Sequence, residues 1–339
     1  MRCSLSRRYF LAAMTAGFLT AALPALAQGQ IALSELNIGI ISTESSQNLK
    51  PRWDSILADM TKAVGMKVNA FFAPDYAGVV EAMRFGKVQI AWMGNASAII
   101  AVDRGGVEVF AQNIAADGSQ GYYSHIVVQA DGPIKSFDDL KGSPGKYTFS
   151  NGDPNSTSGF LIPSYYAWAT NNIDIRKHFT RVVSANHEAN ILAVANKHVD
   201  LATVSSEAVE RIAQTSPGKE KLIRIIWTSP LIPLDPLLWR TDLAQPLKDK
   251  VKSFFLDYGL EKAGKPMEQV TREKAALANI QTGSFRVSSN KQLIPLRQIG
   301  LFRDKLKIEA DDKLSAEEKA AKIRDIDAKL AQLQREAGA

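Results

Sequence analysis

The chain has one cysteine in 339 residues, at position 3. Cys3 lies within an export signal, so the mature protein has no disulfide, no thiolate nucleophile and no cysteine-based metal site. It also precedes the apolar part of that signal, too early for lipoprotein acylation. The four histidines, His125, His178, His187 and His198, lack metal-ligand spacing. No G-x-S-x-G elbow, P-loop, H-E-x-x-H pair or dinucleotide glycine fingerprint occurs. These absences count against an enzyme, a resident metal and a resident cofactor. A secreted hydrolase using Ser158, His187 and an acid stays conceivable, because triad members need not be close in sequence. Nothing marks Ser158 as activated.

Long apolar runs are also scarce. Tyr9 to Leu26 is uncharged and largely apolar, follows Arg7-Arg8 and ends in Ala25-Leu26-Ala27. Residues 1–27 read as a cleaved signal peptide, too short and too poor in flanking charge for a transmembrane anchor. Ser6-Arg7-Arg8-Tyr9-Phe10-Leu11 resembles a twin-arginine signal, with general secretion as the alternative. A soluble periplasmic protein is expected. Losing Arg2, Arg7 and Arg8 and no acid takes the formal charge from +6 to +3. That small excess, spread along the chain, gives no argument for nucleic acid.

The mature length, about 310 residues, is more than one core usually holds and predicts two domains. Strand-like Leu36–Ile41, helical Leu49–Val64 stopped by Gly65, strand-like Val68–Phe72, helical Tyr76–Phe85, strand-like Val88–Trp92 and helical Ala96–Val102 alternate. The rhythm predicts an α/β fold with a mostly parallel sheet. Asp131-Gly132-Pro133 is a candidate crossover, and Leu237-Leu238-Trp239 a candidate return strand. The expected division is a discontinuous lobe 1 over 35–129 and 238–300, lobe 2 over 130–237, and a helical tail over 301–339. In that tail Ser315 and Glu318 form a capping-box pattern. Ile323, Ile326, Leu330, Leu333 and Ala337 follow on one stripe. The stripe either packs on its own domain or forms a homodimer seam.

The most pointed local feature is Ser156-Thr157-Ser158, between Pro154-Asn155 and Gly159 and just before an amphipathic run. At the first turn of a helix, free N–H groups and the positive dipole end favour an anion. Three hydroxyls add donors for a tetrahedral oxyanion. A Ser/Thr N-cap with extra polar residues is the alternative. Asp75-Tyr76, Gly121-Tyr122, Asn186-His187-Glu188, Ser206-Glu207 and Leu234-Asp235-Pro236 fall on loops that should meet the same cleft, where open α/β sheets collect ligands. Taken singly, these acids are expected as caps or surface groups, and the tyrosines as packing.

The stretches NIGIISTESSQNLKPRW, KVNAFFAPDYAGVVEAMRFGKVQIAWMGN, AADGSQGYYS, NGDPNSTSGFLIPSYY, HEANILAVANKHVDLAT and IWTSPLIPLDPLLWR resemble the periplasmic phosphonate-binding protein of an ABC importer, from about Leu36 to Arg303. The resemblance implies a two-lobed type II periplasmic-binding fold that closes on an alkylphosphonate such as 2-aminoethylphosphonate and delivers it to an inner-membrane ABC permease. It implies that Ser156, Thr157, Ser158 and His187 hold the phosphonate and that Tyr76 and Tyr122 close over it. Glu207 and Asp235 match positions that take an ammonium. A receptor for phosphate, phosphite or a simple alkylphosphonate is the alternative. Met93 and Val204 depart from the family pattern and are expected to reshape the pocket around the organic tail.

Overall fold

The computed structural model describes residues 33–338; residues 1–27, expected as a signal peptide, lie outside them. β1 (Glu35–Ile40), α1 (Ser46–Val64), β2 (Lys67–Phe72), α2 (Tyr76–Arg84), β3 (Ile90–Trp92), α3 (Asn95–Asp103) and β4 (Val107–Ala115) begin the first lobe. The chain crosses through β5 (Gly121–Tyr122) into the second. There it forms β6 (Ser124–Gln129), α4 (Phe137–Lys141), β7 (Thr148–Asn151), an irregular helix over 157–171, α5 (Ile175–His178) and β8 (Arg181–Ser184). α6 (His187–Ala195), β9 (Leu201–Ser205), α7 (Ser206–Thr215) and β10 (Ile223–Thr228) complete that lobe. β11 (Ile232–Pro233) leads back to β12 (Pro236–Arg240), α8 (Gln245–Asp257), α9 (Met267–Asn279) and β13 (Thr282–Val287). α10 (Ile294–Glu309) and α11 (Ala316–Gly338) follow.

The first sheet has the order β13-β4-β12-β3-β1-β2 and the second β10-β6-β9-β7-β8. β5 and β11 pair antiparallel between them, Ile232 opposite Tyr122, as a two-stranded hinge. The sequence reading kept residues to 129 in lobe 1. That boundary moves: β6 pairs with β9 and β10, so the strand it forms belongs to the second sheet. The Asp131-Gly132-Pro133 turn follows β6 inside lobe 2, so the outward crossing is at β5.

Both sheets are mixed rather than mostly parallel, with parallel pairs only at β1–β2, β1–β3, β7–β8 and β7–β9. Their central strands are buried on both faces under helices. Leu36, Ile38 and Ile40 pack with Trp53, Ile56 and Met60 of α1 and Phe255 of α8. Ala91 turns the other way, onto Val79, Met83 and Ala98 of α2 and α3. In lobe 2, Phe149 and Leu201 meet Trp168 and Phe179, while Ala202 and Val204 meet Ile191, Val194 and Ile212. Gly65 stops α1 in the left-handed region at φ 76°, where a residue without Cβ has no steric cost.

α10 joins both lobes. Leu296 packs with Ala96 of lobe 1, Tyr122 and Ile232 of the hinge, and Leu161 of lobe 2. The α11 capping box forms, with Ser315 Oγ accepting from Glu318 N–H at 3.2 Å. Its apolar stripe is used within the chain. Ile326 and Leu330 are buried, and Lys305 of α10 pairs with Asp327 of α11 at 2.7 Å. The stripe is therefore used in part within the chain, while Ile323 and Leu333 stay half-buried and Ala337 exposed.

Candidate functional site: an anion cradle facing two acids

The cleft lies where both sheets present the carboxyl ends of their parallel strands. The loop after β1 supplies Thr43, that after β2 Tyr76 and that after β3 Gly94. From lobe 2, Ser156, Thr157 and Ser158 follow β7, His187 follows β8 and Glu207 follows β9. β12 runs antiparallel to β3, Leu237 opposite Trp92, so Asp235 just before it reaches the same edge. Tyr122 comes from the hinge strand. All eight residues that the family resemblance assigns to the ligand thus line one cavity, whereas Asp75 and Glu188 do not. It has about 20 Å³ of room for the centres of water-sized groups, against roughly 10–15 Å³ needed for one water.

The cradle is a helix start of unusual width. Leu161 N–H bonds to Ser156 O at 3.0 Å, an i→i+5 link. Pro163 accounts for part of this, since it has no N–H for the Gly159 carbonyl four residues earlier. That carbonyl turns to the sheet and accepts from Gly152 N–H at 3.0 Å and from Thr203 Oγ1 at 2.6 Å. A Cβ on Gly152 would lie 2.4 Å from Gly159 Cα, so the two glycines permit the contact. The N–H groups of Thr157 and Ser158 are left in the first turn without intrahelical acceptors. Ser156 does act as the N-cap, its Oγ accepting from Gly159 N–H at 3.0 Å. Thr157 Oγ1 reaches across the cleft and accepts from Ala96 N–H at 2.9 Å, at the start of α3. Two helix N-termini from opposite lobes therefore face one another.

His187 is held in one tautomer. Its Nδ1 accepts from the Ser205 N–H at 3.2 Å. A backbone amide only donates, so the proton of the neutral ring is on Nε2, which lies 3.4 Å from Ser156 Oγ. Burial, reinforced by Arg211, pushes the ring pKa down to about 4. His187 is thus a neutral donor at ordinary pH. The hydrolase arrangement is not built: Nδ1 is occupied by a backbone amide where a triad needs a carboxylate, and Nε2 points to Ser156.

Burial, with Asp235 as a further cause, raises the pKa of both Tyr76 and Tyr122, so both phenols stay protonated. Burial also raises Glu207 and lifts Asp235 well above the usual carboxylate range, where the Glu207 charge adds to the effect. Arg211 opposes both shifts. Asp235 Oδ1 is buried with no hydrogen-bond partner among the described residues, a costly state for a charged group. Among the described residues no group of three His, Cys, Asp or Glu side chains could hold a metal ion.

Met93 and Val204 do not line the pocket. Both are fully buried in the packing beside the sheets, because alternate residues on a strand face opposite sides. Their neighbours Gly94 and Ser205 line the cavity instead. Thr43, Trp92, Gly94 and Arg211 were not singled out from the sequence. Thr43 and Gly94 occupy strand ends, the rule that found Tyr76. Arg211 lies one helical turn beyond Glu207, on the same face.

Two lobes, a hinge ribbon and a cleft at the strand ends define a type II periplasmic substrate-binding protein. The model of the family "ABC transporter, phosphonate, periplasmic substrate-binding protein" matches residues 38–293, and the chain belongs to that family. It is 50% identical over 300 residues to the phosphonates-binding periplasmic protein of Escherichia coli K12, covering 88% of this chain and 86% of that one. A phosphate-import protein of Mycolicibacterium smegmatis is 28% identical over 232 residues, 65% of this chain and 70% of that one. A crystal structure of the binding component of an ABC phosphonate transporter from Pseudomonas aeruginosa superposes with TM-score 0.85 at 47% identity. That likeness covers 90% of this chain and 98% of the other. The protein is a periplasmic phosphonate-binding component of an ABC transporter, a carrier rather than an enzyme. No helix among the described residues is long and apolar enough to cross a membrane.

Proposed function

We propose that the chain captures an aminated alkylphosphonate, 2-aminoethylphosphonate in particular, by closing its lobes on it, and delivers it to an inner-membrane permease. The observation that carries this reading is Asp235 Oδ1, buried without a donor beside Glu207 and across the cavity from a cradle of donors. Ser156, Thr157, Ser158 and His187 would hold the phosphonate, with the Tyr76 and Tyr122 hydroxyls closing over it. Glu207 and Asp235 would take the ammonium. A zwitterion serves both halves, because a buried charge needs a partner of opposite sign. Inorganic phosphate would leave the two acids unpaired beside its own negative charge.

A second reading, a receptor for phosphate, phosphite or a simple alkylphosphonate, draws on the small cavity. It also draws on the phosphate-import relative. Calorimetric titration decides between them, using mature protein freed of carried-over ligand by unfolding and refolding. Tight one-to-one binding of 2-aminoethylphosphonate, with methylphosphonate, phosphite and phosphate far weaker, is expected. Equal or tighter binding of the amine-free ligands would remove the ammonium role and keep the cradle.

A further inference from the structure

Apart from the ligand cavity, the two lobes are joined by a second set of polar contacts, concentrated on the loop between β1 and α1. Glu188 of lobe 2 sits at the N-terminus of α1 in lobe 1. Its Oε2 accepts from Ser45 N–H at 3.0 Å and its Oε1 from Asn48 Nδ2 at 2.6 Å. A carboxylate there meets free N–H groups and the positive end of a 19-residue helix. Arg211 of lobe 2 pairs with Glu44 of lobe 1 through Nη1 at 2.6 Å, both side chains largely buried. Its Nε donates to Gln281 Oε1 of lobe 1 at 2.7 Å, and its Nη2 bonds to the same oxygen. Arg52 stands behind Glu44 at 3.6 Å. Each Arg211 nitrogen already has a lobe 1 partner, and Glu188 does not line the cavity.

We propose that Glu188 and Arg211 clasp the 44–48 loop across the cleft and set how tightly the closed form is held, without choosing the ligand. The clasp rests on the reading of this chain as a receptor that closes on its ligand. If only the closed form binds tightly, apparent affinity scales with the ease of closing, and loosening the clasp weakens every ligand by one factor. Affinity and selectivity are then set by different residues. The clasp fixes the first; Glu207 and Asp235 fix the second. The placement fits this division, since Glu188 immediately follows the cradle histidine and Arg211 lies one turn beyond Glu207.

The test is titration of wild type, Glu188→Ala, Arg211→Met, Glu44→Gln and the Glu44→Gln/Arg211→Met double variant with 2-aminoethylphosphonate and with methylphosphonate. Glu188→Ala, on a partly exposed side chain, is expected to weaken both ligands alike, by about 3- to 10-fold. Arg211→Met should cost both about ten-fold or more, and the double variant much less than the product of its singles. The mature chain has no cysteine, so labels at K67C and K146C, both exposed, report lobe separation cleanly. At one sub-saturating ligand concentration, Glu188→Ala should show more of the open distance than wild type. A changed ratio between the two ligands in Glu188→Ala, a position that does not line the cavity, or unchanged affinities, would overturn the clasp. Failure of the wild type to bind either phosphonate would instead overturn the receptor reading, and the clasp with it.

Discussion

Replacing Asp235 with Asn separates the two halves of the site. The change keeps the side-chain shape and removes a charge. Since Oδ1 has no hydrogen-bond partner among the described residues, the change breaks no protein bond there. The thermal midpoint is therefore expected not to fall. Toward 2-aminoethylphosphonate, the variant loses one side of a buried charged pair, typically about 2–5 kcal/mol. Glu207 still faces the ammonium, which places the loss at the lower end, about 30- to 100-fold in Kd.

Toward methylphosphonate the sign reverses. Two like charges about 6 Å apart repel by ~3 kcal/mol at an effective dielectric near 20, the order to expect for a carboxylate and an anion sharing a cavity this small. Burial and Glu207 hold the Asp235 pKa high, so a proton already relieves part of that repulsion. A gain of about ten-fold remains. The ratio of the two affinities should therefore shift by roughly 300-fold or more, read by calorimetry on wild type and variant side by side. Equal loss for both ligands, or an unchanged Kd for 2-aminoethylphosphonate, would refute the ammonium role.

Gly159→Ala should have the opposite signature, weakening both ligands together. A Cβ there lies 3.0 Å from Gly152 Cα and 3.1 Å from His187 Cε1, a clash worth about 1–3 kcal/mol; unaltered binding and stability would show that the cradle has slack. Binding of the ammonium should return the raised Glu207 and Asp235 to their charged forms and release protons, so affinity for 2-aminoethylphosphonate falls as pH drops through their raised pKa values. Titrations in two buffers of different ionisation enthalpy, with methylphosphonate as the control, would refute this if the proton count did not differ between the ligands. Deleting the chain from Ser315 should lower the thermal midpoint by uncovering the α10 face under Ile326 and Leu330, and leave the solution mass monomeric; loss of a dimer would restore the seam.

What could be read from the sequence followed how local each signal is. The anion half was legible because hydroxyls, a turn and a helix start occupy consecutive positions, 156–159. The width of that turn was not, because it depends on Thr203 and Gly152 taking a carbonyl that Pro163 releases. The β5 crossing was missed because a two-residue strand has no periodicity, whereas the Asp131-Gly132-Pro133 turn is conspicuous and lies inside lobe 2. The core placement of Met93 and Val204 was not legible for lack of strand phase: one residue along the strand separates the cavity from the core.

The cation half was legible only through the family resemblance, and the reason is physical. A lone Glu or Asp on a loop has the same sequence signature whether it caps a helix, as Asp75 does by accepting from Gly78 N–H at 2.8 Å, or stands unpaired in a cavity like Asp235. What separates them is the partner, and for Asp235 and Glu207 no cation among the described residues fills that place. Arg211 is near enough to moderate both pKa values, yet its nitrogens are taken by Glu44 and Gln281 in the opposite lobe. A cation that completes the lobe closure is therefore withheld from the acids beside it.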